Sequence, residues 1–294
     1  MNTKPMVRDS SLELYRILVM LLIIAHHSIV NSGLKAVIES APITLNGLVL
    51  LMVGSWGKIG INCFVLITGY FMCTKTISLK KFFKLYFQVV FYGFACNAFL
   101  VLIGCVEFDW RMLVDTVFPF VELTWNFVSA YLVFFLLIPF LNVVVNGITR
   151  RQHEILLGIS LLFLSVLPCV HRYHVAFNYV EWFCVLYFVG AYLRLYPNKF
   201  FESRRMMSVM SFLALIAIPF SVWLMAHLQG RLSPVYGTYF FVEDSNKITA
   251  LLPAVCFFCF FKSLHLPYVP MINRLASTCF AVLLIHANST QMHR

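Results

Sequence analysis

Charged residues are scarce in this chain, and acidic residues are the scarcest of them. Only 12% of its 294 residues are Asp, Glu, Lys or Arg, and 22 Lys and Arg stand against 12 Asp and Glu. By contrast, 61% of the residues are hydrophobic. No soluble fold needs so much apolar surface, so the composition excludes a soluble globular protein and predicts several membrane spans.

Nine apolar runs are each about long enough to cross a bilayer core of roughly 30 Å. They lie near residues 12–31, 47–73, 82–105, 127–146, 155–170, 178–195, 207–228, 247–262 and 275–290. The sequence therefore predicts an all-α, polytopic membrane helix bundle with about nine transmembrane helices, within a range of about eight to ten. The first run is too long for a signal peptide and no small-residue cleavage site follows it, so we expect it to be a retained span.

The stretch 107–125 is the main ambiguity, because it mixes charged and apolar residues. Its charged residues are Glu107, Asp109, Arg111, Asp115 and Glu122. A lipid-exposed transmembrane helix is disfavoured here, since these charges would have to enter hydrocarbon. We expect either a surface loop or an amphipathic helix.

Basic residues are concentrated in alternate loops. One set of loops holds Lys4, Arg8, Lys75, Lys80, Lys81, Lys84, Arg150, Arg151, Arg194, Lys199, Arg204, Arg205, Lys262 and Arg274, whereas the other holds Lys35, Arg111, Arg172 and Arg231. By the positive-inside rule the first set and the N-terminus are cytoplasmic. We therefore expect a multi-pass protein of the inner (cytoplasmic) membrane. Its net charge of +10 then reflects topology rather than a nucleic-acid partner.

The cysteines give little support to a metal site. Cys256 and Cys259 have C-x-x-C spacing, but no second pair or histidine cluster accompanies them, so we interpret them as small apolar helix residues and expect no metal. The chain shows no repeat, no low-complexity segment and no appended soluble domain. We expect a single membrane domain over residues 1–294.

The first span carries a polar stripe. Arg16 and His27 are eleven residues apart, about three helical turns, so they share one helix face roughly 16 Å apart. Glu13 falls within about 40° of His27 on the same wheel, whereas His26 points about 80° away from Arg16. Ionisable residues inside a membrane span usually mark function, so this face predicts a reaction site or a conduction path.

A neutral imidazole is a good general base, because its pKa lies near the working pH. In a partly dry pocket, His27 could take a proton from a hydroxyl that attacks an acyl carbonyl. The spacing fits equally well a His27 satisfied by a loop carbonyl and an Arg16 that snorkels to the surface. Glu13 could either hold Arg16 in position or lie in interfacial water.

The second apolar run, 47–73, contains several small residues. Gly57, Gly60, Thr68 and Gly69 are spaced so that helix backbones can approach closely, which is their ordinary packing use in membranes. Asn62 lies inside this apolar run and needs a hydrogen-bond partner, so we expect it to face the bundle interior.

Six motifs lie in order along nearly the whole chain. The first, residues 12–16 (LELYR) and 26–28 (HHS), is similar to the first-span signature of acyltransferase family 3, which is an Arg or Lys, ten residues and then His. Residues 59–70 resemble its second-span pattern, with Thr68 in place of the usual serine. The others are the basic start of the third span at 80–86, Trp125 with Tyr131 and Pro139 (without the acidic residue some members carry there), 187–192 (YFVGAY) and 283–286 (LLIH).

This resemblance implies an integral membrane O-acyltransferase. Family members move an acyl group, most often acetyl, from coenzyme A on the cytoplasmic side to a hydroxyl of a glycan or similar envelope or exported molecule. Carried over, His27 is the catalytic base and Arg16 its partner in the motif. Arg16 is also apt for the donor's phosphates, since a guanidinium fork matches phosphate oxygens.

The remaining candidates keep two interpretations each. Lys80, Lys81 and Lys84 could bind coenzyme A phosphates, or could serve topology and anionic lipid contact. His286, in the last span, could belong to the site or to bundle packing. The chain ends eight residues after His286, where the family often continues, so we expect a sequence truncated or frameshifted at its C-terminus.

The alternative function is a secondary transporter or glycan flippase, in which Arg16 and the histidines line a substrate path. It predicts paired half-helices broken by Gly or Pro at matching places in two halves. No such symmetry is visible in the sequence, and most polar residues of the spans cluster in the first two. These observations favour the enzyme.

Overall fold

The computed structural model describes residues 9–40, 42–120, 123–124, 126–170, 173, 176–228 and 237–287. These residues form helices and no strand, so the predicted all-α class is confirmed. The helices are α1 Ser10–Val30, α2 Leu34–Glu39, α3 Leu45–Gly54, α4 Gly57–Met72, α5 Leu79–Leu102, α6 Trp110–Val117, α7 Phe127–Gly147, α8 Arg150–Leu161, α9 Tyr179–Leu195, α10 Lys199–Glu202, α11 Arg204–Leu228, α12 Ile248–Lys262, α13 Pro270–Ala276 and α14 Cys279–Ala287.

Seven helical stretches are long and apolar enough to cross a membrane. They are Ser10–Val30, Leu45–Met72, Leu79–Leu102, Phe127–Gly147, Arg150–Cys169, Arg204–Leu228 and Pro270–Ala287. The two other predicted spans are the shorter helices α9, of 17 residues, and α12, of 15 residues. The count agrees roughly with the predicted nine, and the polytopic helical architecture is confirmed.

Two stretches of the chain are not simple transmembrane helices. The second run is broken between α3 and α4, where Ser55 and Trp56 are buried. Such irregular backbone is tolerated inside a membrane where protein covers it. In the ambiguous stretch 107–125, Trp110–Val117 forms the amphipathic helix that was one of the two expectations, capped at its start by the Asp109 side chain.

Contacts divide the described chain into two compact units. Unit 1 lies within Met1–Phe64, Pro197–Ser245 and Thr249–Val282, and unit 2 within Val65–Tyr196, Asn246–Ile248 and Leu283–Arg294. In unit 1, α1 packs against α3 and α13. In unit 2, α7 and α8 both pack against α9, and α5 packs against α6 and α7.

Local signals explain why α1 begins and ends where it does. The Asp9 side chain accepts a hydrogen bond from the Ser11 N–H at 2.9 Å, which satisfies one of the free donors of the first turn. Glu13 adds an acid in that turn, where it complements the helix dipole. At the other end, Asn31 caps the helix and Gly33 takes a positive φ of 76°, which glycine adopts without strain. The helix is therefore continuous through both Arg16 and His27.

Candidate active site

Arg16 and Glu13 form an ion pair on the face of α1. The Nη1 atom of Arg16 donates to both carboxylate oxygens of Glu13 at 3.3 Å. The side chain of Arg16 is 32% exposed and that of Glu13 only 9%. Of the two alternatives for Glu13, the structure has the one in which it holds Arg16. Among the described residues, Glu13 is the only hydrogen-bonding partner of Arg16, and it is bound through the single nitrogen Nη1.

The neighbouring histidines at the other end of α1 have different surroundings. His26 is 8% exposed, and its Nδ1 atom lies 2.5 Å from the carbonyl oxygen of Gly54. His27 is only partly buried, and the two ring centroids are 5.7 Å apart. Of the two rings, that of His27 is therefore the less buried, although its Nδ1 atom is itself buried.

Two glycines of α4 let it approach α1 closely. A Cβ atom on Gly57 would clash with the His26 ring, and one on Gly60 would lie 2.8 Å from Cγ1 of Ile23. The spaces that side chains would need are thus already filled by α1. Close packing of small residues is the expected means of holding helices together in lipid, so these glycines fix the position of the histidine pair.

A buried segment before α12 lies on the same unit. Asn62 is fully buried and donates to the Ser245 carbonyl at 2.7 Å, which confirms the expectation that it faces the protein interior. Tyr239 donates to the Leu51 carbonyl at 2.8 Å. Burial, and then the charge of Glu39, raise the pKa of Tyr239, so its hydroxyl remains a donor.

The other candidate residues lie in unit 2 or outside the described residues. The Thr68 hydroxyl is 3.0 Å from that of Tyr131, and His286 is partly buried in α14. Lys80, Lys81 and Lys84 are exposed at the start of α5. Trp125 lies outside the described residues. Within the described residues, no group of His, Cys, Asp or Glu is arranged to hold a metal ion.

Lys58 is a residue of interest that sequence reasoning left without a role. It lies in the first turn of α4, directly after the glycine that faces His26. Its charge could have drawn attention to it in the sequence, because Lys58 is the only charged residue between Leu45 and Met72. By contrast, no local sequence pattern predicts the contact of Gly54 with Tyr239, because these residues are far apart in the chain.

Comparison with known proteins identifies the family of the chain. The family model described as an acyltransferase domain, that of acyltransferase family 3, matches residues 9–291, nearly the whole chain. The chain belongs to acyltransferase family 3. No curated protein and no solved structure matches it significantly.

Membership in this family supports membrane acyltransferase activity in general. Together with the apolar helices it describes a multi-pass membrane protein. The polar face of α1 carries an imidazole, that of His27, and a guanidinium, that of Arg16.

Proposed function

We propose that this acyltransferase family 3 member is an O-acyltransferase of the inner (cytoplasmic) membrane. It moves an acyl group, acetyl in the simplest case, from acyl-coenzyme A to a hydroxyl of a cell-surface or exported glycan. The observation that carries the proposal is the unbroken helix α1, which presents an anchored guanidinium and a partly buried imidazole on one face, about 16 Å apart.

Arg16 is the donor's phosphate site in this proposal. The ion pair with Glu13 orients the guanidinium through one nitrogen, and the remaining nitrogens can take phosphate oxygens. The concentration of basic residues in alternate loops favours an orientation in which this end of α1 is cytoplasmic, where coenzyme A is found. The slender pantetheine arm would then extend along α1 and bring the thioester toward His27.

His27 is the general base. It takes the proton of the acceptor hydroxyl while the hydroxyl oxygen attacks the thioester carbonyl carbon. The resulting tetrahedral adduct collapses, the carbon–sulfur bond breaks, and the imidazolium returns the proton to the departing coenzyme A thiolate. His26, buried and close to the Gly54 carbonyl, keeps this end of α1 in place while the reaction proceeds.

The acceptor is proposed to come from the side opposite the donor. With the N-terminus inside, His27 lies in the outer half of the membrane, which suits a hydroxyl on an exported glycan. Mass spectrometry of surface glycans from cells with and without the gene tests this directly. We expect acetyl-sized mass differences that vanish in the deletion and return with the wild-type gene but not with His27→Ala.

An assay with purified protein separates the enzyme from a transporter. Proteoliposomes supplied with acetyl-coenzyme A and a glycan acceptor should form ester and release coenzyme A thiol. Movement of the glycan across the bilayer without any acyl donor, with no ester formed, would contradict the proposal in favour of transport.

A further inference from the structure

Helix α5 packs against the rest of unit 2 along one side. Val89 is its only buried residue. The Tyr86 hydroxyl donates to the Val117 carbonyl at 2.5 Å, and the Asn97 amide donates to the Thr116 hydroxyl at 2.8 Å. At about 100° per residue, Val89, Tyr86 and Asn97 fall within about 80° of one another on the helical wheel. The opposite half of α5 therefore faces away from the described protein.

A phenylalanine stripe runs along that opposite half of α5. Its members, which are 37% to 65% exposed, are Phe83, Phe87, Phe91 and Phe94. The rings of Phe83 and Phe87 stack with their centroids 6.2 Å apart. From residue 83 to residue 94 the helix rises about 16 Å, whereas one leaflet of a roughly 30 Å hydrocarbon core is about 15 Å thick. The stripe therefore has the length of the acyl-chain region of one leaflet.

Two lysines continue this face at the start of α5. Lys80 and Lys84 are exposed, and they fall within the same sector of about 100° as the phenylalanine stripe. In the described part of the chain, no carboxylate lies within ion-pair distance of either lysine. Lys81 differs, because it lies outside this sector and its ammonium donates to the Thr76 carbonyl at 3.2 Å. The face thus combines two uncompensated positive charges with an apolar stripe.

The charge and the stripe together indicate the chemistry of the partner. The lysine end of α5 belongs to the loops rich in basic residues, which favours a cytoplasmic position. The cytoplasmic leaflet carries anionic lipids, whose headgroups attract lysines near the membrane surface. A lysine can keep its ammonium among headgroups while its stem covers apolar surface. A soluble phosphate compound would neutralise the lysines, but it would leave the phenylalanine stripe uncovered.

We propose that this face of α5 is a binding site for one anionic phospholipid of the cytoplasmic leaflet. The headgroup phosphate binds between the ammonium groups of Lys80 and Lys84, and an acyl chain lies along the phenylalanine stripe. The lipid is held and not consumed, so the site is separate from the proposed acyl transfer. The two lysines then serve lipid contact rather than the phosphates of coenzyme A.

Native mass spectrometry of the full chain in a mild detergent tests the headgroup half of the site. The protein is titrated with dioleoyl phosphatidylglycerol, which is anionic, or with dioleoyl phosphatidylcholine, which has the same chains and no net charge. A lysine near anionic headgroups contributes about fivefold in affinity, so wild type should prefer phosphatidylglycerol about 10- to 30-fold. The double variant Lys80→Gln/Lys84→Gln should lose this preference at an unchanged melting temperature. Lys81→Gln/Lys199→Gln removes the same charge from other exposed positions and should keep the preference within about threefold.

A second pair of variants tests the acyl-chain half. Phe87→Ala removes a 62% exposed ring from the phenylalanine stripe, and Phe212→Ala removes a 63% exposed ring from α11. Phe87→Ala should weaken the binding of both lipids about threefold or more, because dispersion contacts with the chain are lost. The preference for phosphatidylglycerol should stay as in wild type. Phe212→Ala should change neither quantity.

Four results would overturn the lipid site. Wild type could bind the two lipids equally, or Lys80→Gln/Lys84→Gln could keep the preference for phosphatidylglycerol. Displacement of bound phosphatidylglycerol by coenzyme A would assign the lysines to the acyl donor instead. A doubled protein mass without bound lipid, together with cross-linking between α5 helices, would make this face an interface between two copies of the chain. None of these measurements involves acyl transfer, so the proposed function stands or falls by its own assays.

Discussion

Helices α1 and α5 are both apolar and long enough to cross a membrane, and both carry basic residues near their starts, yet they present these residues differently. Arg16 on α1 is held by Glu13 within unit 1. Lys80, Lys81 and Lys84 on α5 are exposed, and Val89 is the only buried residue of that helix. A cation fixed by its neighbours can orient a ligand, whereas mobile exposed cations attract it over a distance that salt shortens. Hydropathy alone does not separate these two kinds of helix.

The largest effect expected on the α1 side is the loss of the base. His27→Ala should lower the rate of acyl transfer by about 100- to 10,000-fold, which is the usual contribution of a general base. The rate of ester formation in proteoliposomes is the measurement. His227→Ala is the matched control, since His227 is exposed on α11 and bonds to the Trp223 carbonyl of its own helix. A His27→Ala protein that inserts and transfers at the wild-type rate removes His27 from the mechanism.

The next effect concerns the donor's phosphates. Arg16→Met should raise the KM for acyl-coenzyme A about 10- to 100-fold, because charged hydrogen bonds are worth about 1.5–3 kcal/mol each. Steady-state kinetics with a saturating acceptor measures it. Arg205→Met, an exposed arginine at the start of α11, should leave that KM unchanged. If Arg16→Met and Arg205→Met changed the KM for acyl-coenzyme A equally, Arg16 would not be the specific site of the donor's phosphates.

A third prediction tests the packing that fixes the histidine pair. Gly57→Ala forces a methyl group into the His26 ring, and overpacking of this kind costs about 1–3 kcal/mol of unfolding free energy. We expect a lower melting temperature and a reduced kcat. Gly158→Ala on α8 is the control, since nothing lies within 4 Å of the added atom. If both variants melt and turn over alike, the close approach of α4 to α1 is unimportant.

The smallest effect on kinetics is expected from substitutions of the exposed lysines of α5. Exchange of Lys80, Lys81 and Lys84 for Gln should raise the donor KM no more than about threefold at physiological salt, because exposed charges are largely screened there. The change should disappear in high salt, in contrast to that of Arg16→Met. A salt-resistant rise as large as that of Arg16→Met would place the phosphate site on α5 instead.

Sequence reasoning reached the parts of the fold that depend on local pattern. The first apolar run and α1 agree within two residues, and the need of Asn62 for a buried partner followed from its apolar surroundings. It could not find the break between α3 and α4, since hydropathy continues across Ser55 and Trp56. The hydrogen bond from Tyr239 to Leu51 could not be predicted either, because it joins segments separated by 188 positions. Tertiary packing determines both the helix break and this hydrogen bond.

The most direct test of the account is whether Arg16 recognises the part of the donor that lies farthest from the reacting carbonyl. Transfer rates are compared for acetyl-coenzyme A and S-acetylpantetheine, which lacks the phosphates, in wild type and in Arg16→Met. The account predicts that removing the phosphates lowers kcat/KM strongly in wild type but hardly at all in Arg16→Met. An equal loss in both proteins would contradict it, because the phosphates would then bind somewhere other than the polar face of α1.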